Sequence, residues 1–233
     1  LMEKGCSGLA IKNVFHLPIH DTVIRYADAR NFPVFLIEGT DIYFEDVIYR
    51  VNRRIEALRS DAFAQKQLDM LMDKSIDTSR ILACCRSLNP SLQSYHFMIF
   101  SHAASELEVD NRDQIIRRFE DSSLNLPQNL LTSFRGGILF LYSWDGENSP
   151  VLSEIAHRFQ TEVLESDACL MRIGISSIHY RLEDSPLALR ESLQAYHFAN
   201  KKDSPVFFDN LGSFKLLLDF AQTPQMQRFS REI

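Results

Sequence analysis

From Thr40 to Asn89 the chain contains neither Gly nor Pro, and a stretch free of both strong breakers is most readily satisfied by helix. Within it Val47, Val51, Ile55, Leu58 and Ala62 recur at three- and four-residue steps, the spacing of a single helix face. The pattern predicts a long helix beginning near Glu45. Its apolar stripe changes phase before resuming at Leu68, Leu71 and Met72, so a kink or break is expected around residues 59–66. Such a helix reaches about 45 Å over roughly thirty residues at 1.5 Å each, which suits an interdomain connector or a dimerisation helix; an ordinary domain helix followed by a second one satisfies the same pattern. Arg50, Arg53 and Arg54 read as its solvated face.

This helical stretch separates two regions in which apolar runs alternate with helical patterns. Before it, Gly8-Leu9-Ala10-Ile11-Lys12 and Phe32-Pro33-Val34-Phe35-Leu36-Ile37 read as buried strands, and Ile19, Val23, Ile24 and Ala27 between them fall at helical spacing. Strand, helix and strand at this distance form a βαβ unit with parallel strands. One such unit cannot cover both faces of its sheet, so further strands are expected before Leu1 or from a partner chain.

After it, strands are predicted at residues 95–100, 137–142, 170–176 and 206–208, and helices at 112–119, 151–164 and 187–200. With a hairpin near Gly136, this is an α/β sandwich built on one mostly antiparallel sheet. The domain plan that follows is 1–44, 45–78 for the connecting helix or helices, 79–212 for the second domain, and a tail from 213 to 233.

Composition narrows the function classes. The net charge of −6 argues against binding nucleic acid or an anionic membrane through this region alone. No run approaches the roughly 18 apolar residues of a membrane span, and the first residues lack a signal-peptide core; a cytoplasmic location and no membrane partner are expected. Cys6, Cys84, Cys85 and Cys169 are too sparse for a disulfide framework and read as reduced structural thiols. No metal-ligand spacing links them to the histidines at 16, 20, 96, 102, 157, 179 and 197, so neither a metal nor a cofactor is expected.

The segment Gly136-Gly137-Ile138-Leu139-Phe140 looks like the signature hairpin of GGDEF-type nucleotide cyclases with both acids replaced. A cyclase of that kind needs a carboxylate at the third position to hold Mg²⁺ against the substrate triphosphate, and Ile138 and Leu139 supply none. No catalytic residue is expected, and the hairpin is read as structural, its Gly pair serving the positive φ of a turn. Asp110 and Asp113 read as helix-start acids and Asp145-Gly146 as a turn.

Three further patches, Ile173-Gly174-Ile175-Ser176, the stretch Ala188 to Ala199, and Asp209-Asn210-Leu211-Gly212 leading into Leu216-Leu217-Leu218, resemble the GGDEF-like domain of PucR/CdaR-type bacterial transcription regulators. The first sixty residues are similar to the later half of the PucR sensor domain, through Gly8 to Lys12, Pro18-Ile19-His20, Ala27-Asp28-Ala29 and Phe32 to Ile37. The resemblance implies a sensor fragment, a connecting helix and a degenerate, inert GGDEF-like domain. It also implies a homodimer and an unidentified small-molecule effector, with DNA bound only through a helix-turn-helix absent from this chain. Purine catabolism is the process some members control. A nucleotide-binding or diguanylate cyclase-like domain is the alternative.

Among the histidines, His16 and His20 have i, i+4 spacing, but Pro18 interrupts any helix through both, which favours a loop or cap. His20 and Asp21, beyond the end of the first strand, are the candidate effector positions, because open α/β sheets bind ligands past their strand ends.

Overall fold

The computed structural model describes residues 6–15, 18–37, 43–103, 109–146, 150–165, 171–199 and 205–215. His16, Cys169 and the tail from Leu216, to which parts of the sequence reading refer, lie outside them. The chain divides into two compact units, Leu1–Ser60 and Asp61–Ile233.

In the first unit, β1 (Leu9–Lys12) pairs in parallel with β2 (Val34–Ile37), in a register that sets Leu9 beside Val34 and Lys12 beside Ile37. The helix α1 (Asp21–Asp28) makes the crossover, as a parallel pair requires. Of its residues Ala27 is buried, whereas Val23 and Ile24 remain 49% and 45% exposed.

The helix α2 (Phe44–Leu71) is continuous through residues 59–66, where the sequence had pointed to a break. The change of phase has another cause. At about 100° per residue, the positions of Ile48, Val51, Ile55, Leu58 and Ala62 centre roughly 150° away from those of Ala64, Leu68 and Leu71. Ala64, Leu68 and Leu71 are buried in the second unit's core. One helix therefore presents two apolar faces in succession, and no backbone irregularity is needed.

The second unit holds a five-stranded sheet in the order β4 (Leu130–Phe134), β5 (Gly137–Trp144), β3 (Tyr95–Ala103), β6 (Met171–Ile175), β7 (Val206–Phe207). All neighbours run antiparallel except β6 and β7. Strand alternation divides the core between the two faces. Phe97, Ile99, Ile138 and Phe140 join Ile115 and Phe119 of α4 (Val109–Asp121) and Ile155 of α5 (Leu152–Arg158). Met98, Phe100, Leu139 and Leu141 join Leu68 and Leu71 of α2, Ile81 and Cys85 of α3 (Thr78–Leu88), and Leu189 and Leu193 of α6 (Ser185–Phe198). Helices thus cover both faces, giving three layers. The expected helix over 151–164 changes character at Phe159, where a π-helical stretch runs to Leu164 and stacks Phe159 on Phe140 with ring centroids 5.2 Å apart.

Candidate functional site

The chain reverses between β4 and β5 at Arg135 and Gly136, since Phe134 pairs with Gly137. Both turn residues have positive φ, 46° and 78°, as the tightest hairpin turns demand. The two glycines of the motif consequently do different work, which corrects the reading of the pair as a turn device. Gly136 occupies the turn. Gly137 lies in the strand, where a Cβ would stand 2.5 Å from the Ser101 carbonyl oxygen and 2.8 Å from the Phe100 ring; it permits close approach of β3.

Arg135 is held in a conformation unfavourable for a residue with a side chain. Its N–H donates to Gln65 Oε1 at 3.1 Å, and its guanidinium lies 3.7 Å from Asp69 Oδ1. Gln65 and Asp69 sit one turn apart near the end of α2, so that helix latches the hairpin turn.

Around the turn, His102 Nε2 lies 3.1 Å from where a Gly136 Cβ would be. On the neighbouring strand Arg172 is paired directly opposite His102. The Arg172 Nη2 donates to the Tyr196 hydroxyl at 2.8 Å, and its guanidinium carbon is 4.7 Å from the centre of that ring. Imidazole, guanidinium and phenol groups offer no hard oxygen pair for Mg²⁺, and the guanidinium charges oppose a divalent cation. The motif positions facing the sheet's two sides are closed as well. Ile138 is 0% exposed and Leu139 1%, each packed in a different half of the core. Among the described residues no cluster of three His, Cys, Asp or Glu side chains is arranged to hold a metal ion.

At the other end of β3 lies a buried polar network that the sequence reading did not assemble. His96 and His179 exchange backbone hydrogen bonds of 2.9 and 2.8 Å, and their rings are 5.8 Å apart. His96 Nδ1 lies 2.9 Å from the Ser94 carbonyl oxygen, and Nε2 3.2 Å from Ser185 Oγ. The carbonyl accepts only from a protonated Nδ1, which leaves Nε2 to accept from the serine hydroxyl. The Cys85 thiol donates to that same oxygen at 3.4 Å. Removal from water drives the His96 pKa down to about 4, against the weaker opposing pull of Ser94, so its imidazole is neutral. His179 Nε2 lies 3.0 Å from Glu191 Oε2, which also accepts the Ser177 N–H at 3.0 Å. Ser177 Oγ donates to Asp209 at 2.8 Å, and Lys215 Nζ reaches the same carboxylate at 3.0 Å. The buried members His96, His179, Ser185 and Glu191 are all hydrogen-bonded, as buried polar groups require, and the chain of bonds reaches the surface at Asp209. The contacts join residues up to 100 positions apart, so no local motif advertises them.

The other candidates have local roles. His20 is the N-cap of α1, its Nδ1 accepting the Thr22 N–H at 3.4 Å and lying 2.8 Å from Thr22 Oγ1. Asp21 occupies the first turn, where an acid complements the helix dipole. Both are exposed. Cys84 and Cys85 are buried free thiols, with burial raising both pKa values, the opposite of what a reactive thiolate needs. Asp110 lies in the first turn of α4, and Gly146 beside Asp145 has φ of 93°, in keeping with a turn.

No protein-family model matches this chain, and no curated protein matches it. Among solved structures, the crystal structure of a regulator of polyketide synthase expression from Bifidobacterium adolescentis is similar over 65% of this chain and 67% of that one. The identity is 13% and the TM-score 0.35, a likeness too remote to transfer residues or activity. No helix among the described residues is long and apolar enough to cross a membrane.

Proposed function

We propose that this chain is the regulatory region of a PucR/CdaR-like transcription regulator, with a degenerate GGDEF-like domain that has no cyclase activity. The observation that carries the reading is the burial of Ile138 and Leu139 on opposite faces of the central sheet. Positions that would serve catalysis as carboxylates serve packing here. A small-molecule effector biases the βαβ unit, α2 relays that bias, and a homodimer responds; DNA is contacted by a segment outside this chain. Such coupling requires an effector that binds two states with different affinity. The latch of Gln65 and Asp69 on Arg135 supports α2 as the relay, since it ties the helix to the turn of the degenerate motif.

The test combines two measurements. Incubation with GTP and Mg²⁺ is expected to yield no cyclic dinucleotide and no rise in melting temperature; either response would overturn the inert reading in favour of a nucleotide receptor or cyclase. The coding sequence beyond Ile233 is expected to encode a helix-turn-helix, and its absence there would overturn the transcriptional reading.

A further inference from the structure

The face of α2 that carries Ile48, Val51 and Ile55 has the form of a helix-pairing seam. Ile48, Val51 and Ile55 are 48%, 51% and 43% exposed. The series continues through the positions of Leu58 and Ala62 at alternating steps of three and four, the repeat by which two helices interlock. Ala62 is exposed too. Along one flank, at seven-residue steps, stand Glu45, Asn52 and Arg59, all exposed.

We propose that this seam binds the same seam of a second copy in antiparallel orientation, crossing near Asn52. The charge order along the helix selects the orientation. In an antiparallel pair the like flanks meet, so Glu45 faces the partner's Arg59 on both sides of the two-fold axis, and Asn52 meets its own copy at the axis. Val51 then packs against the partner's Ile55, and Ile48 against the position of the partner's Leu58. On the opposite flank the position of Arg54 falls opposite its copy, one like-charge meeting against two opposite-charge ones. A parallel pair in register sets the Arg54 position against the partner's Arg59 twice. Its compensating pair, Asp61 with the partner's Lys66, would draw Asp61 from Arg112 of its own chain, 3.9 Å away. This inference deepens the homodimer proposed above and rests on it for the presence of a second copy.

The experiment uses the full chain with Cys6 and Cys169 replaced by Ser. Glu45→Cys and Arg59→Cys chains, mixed and mildly oxidised, are expected to form a disulfide-linked heterodimer, and neither is expected to link to itself. Asn52→Cys is expected to link to itself. Self-linking of Glu45→Cys without heterodimer formation would overturn the antiparallel arrangement. By sedimentation, Ile55→Glu is expected to weaken self-association by roughly 100-fold, the loss typical of a charge placed at an interface centre, with an unchanged melting profile at high dilution. If the unaltered chain and Ile55→Glu are equally dimeric, the seam is wrong and the homodimer reading stands. If the unaltered chain is a monomer, both fall. Charge exchange is the orienting control: Glu45→Arg is expected to weaken pairing, and adding Arg59→Glu to restore it.

Discussion

The two sheets of this chain are built from the same kind of sequence and differ in what covers them. β5 in the second unit reads Gly-Ile-Leu-Phe-Leu-Tyr-Ser-Trp, and both of its faces are packed by helices. β2 in the first unit reads Val-Phe-Leu-Ile, equally apolar, yet Phe35 is 62% exposed and Leu36 39%. An apolar run therefore announces a strand without announcing its burial, which depends on how many layers are present to cover it. The sharpest way to break this contrast is to place the same charge in both. Ile138→Asp or Leu139→Glu, which gives the hairpin the acids of the cyclase signature it resembles, is expected to cost about 4 kcal/mol or more, because a carboxyl enters a closed core. Phe35→Asp is expected to cost less than about 1 kcal/mol. Chemical denaturation of the three variants checks this, and near-equal losses would refute the contrast. Introduced acids that bound Mg²⁺ without loss of stability would refute the packing role of Ile138 and Leu139.

The next effect belongs to the second unit alone, since only there is an imidazole fully enclosed among the described residues. His96 is 0% exposed and its pKa falls from 6.5 to about 4. The unfolded chain binds the proton more tightly than the folded one, so stability is complete above pH 6.5 and is lost as the pH falls toward 4. The neighbouring groups, His179, Glu191, Asp184, Cys85 and Ser185, do not remove the sign, because burial is the leading cause. Integrated over that window, at 1.36 kcal/mol per unit, the loss is about 3 kcal/mol. His96→Gln is expected to flatten the acid limb of melting temperature against pH between 6.5 and 4. An unchanged limb would assign the acid sensitivity elsewhere.

How far the fold was readable follows from the same distinction between local and distant causes. The apolar runs marking β1, β2, β3, β5 and β6 lie within single windows of sequence, as does the helical spacing of α1, α4 and α6, and these elements stand where the residues placed them. α3 begins where Asp77 accepts the Arg80 N–H at 3.0 Å, a capping signal that lies within a single window of sequence. The phase shift in α2 shows the limit: a helix whose apolar stripe moves from one face to another leaves the same trace as a helix that breaks. Of the candidate site, the absence of carboxylates at Ile138 and Leu139 was legible, but the separate roles of Gly136 and Gly137 were not. Those depend on Arg135 taking the second positive φ and on Ser101 approaching from β3. The histidine network was illegible for the same reason.

The latch on the hairpin turn offers a smaller test. Gln65→Ala removes the acceptor of the Arg135 N–H and is expected to cost about 1 kcal/mol, the usual worth of one hydrogen bond. Asp69→Ala is expected to cost less, because that ion pair is half exposed on both sides. If α2 relays an effector signal, Gln65→Ala also lowers the effector's influence on the second unit by more than it lowers stability. Equal effects on both would make the contact structural only.

The smallest effect lies at His20, where the two units can be set against each other again. In the second unit α3 is capped by Asp77 through a 3.0 Å bond, whereas α1 is capped by the His20 imidazole at 3.4 Å, a longer and weaker contact. His20→Ala is expected to cost about 0.5 kcal/mol, at the low end for loss of a cap, and Asp77→Ala about 1 kcal/mol. His20→Asn separates capping from ligand contact, since asparagine caps at least as well and lacks the imidazole. If effector binding, read by thermal shift, survives in His20→Asn, the residue acts by fixing the start of α1. If it disappears while α1 keeps its stability, the imidazole itself touches the ligand, and the capping bond is a resting state that the ligand replaces.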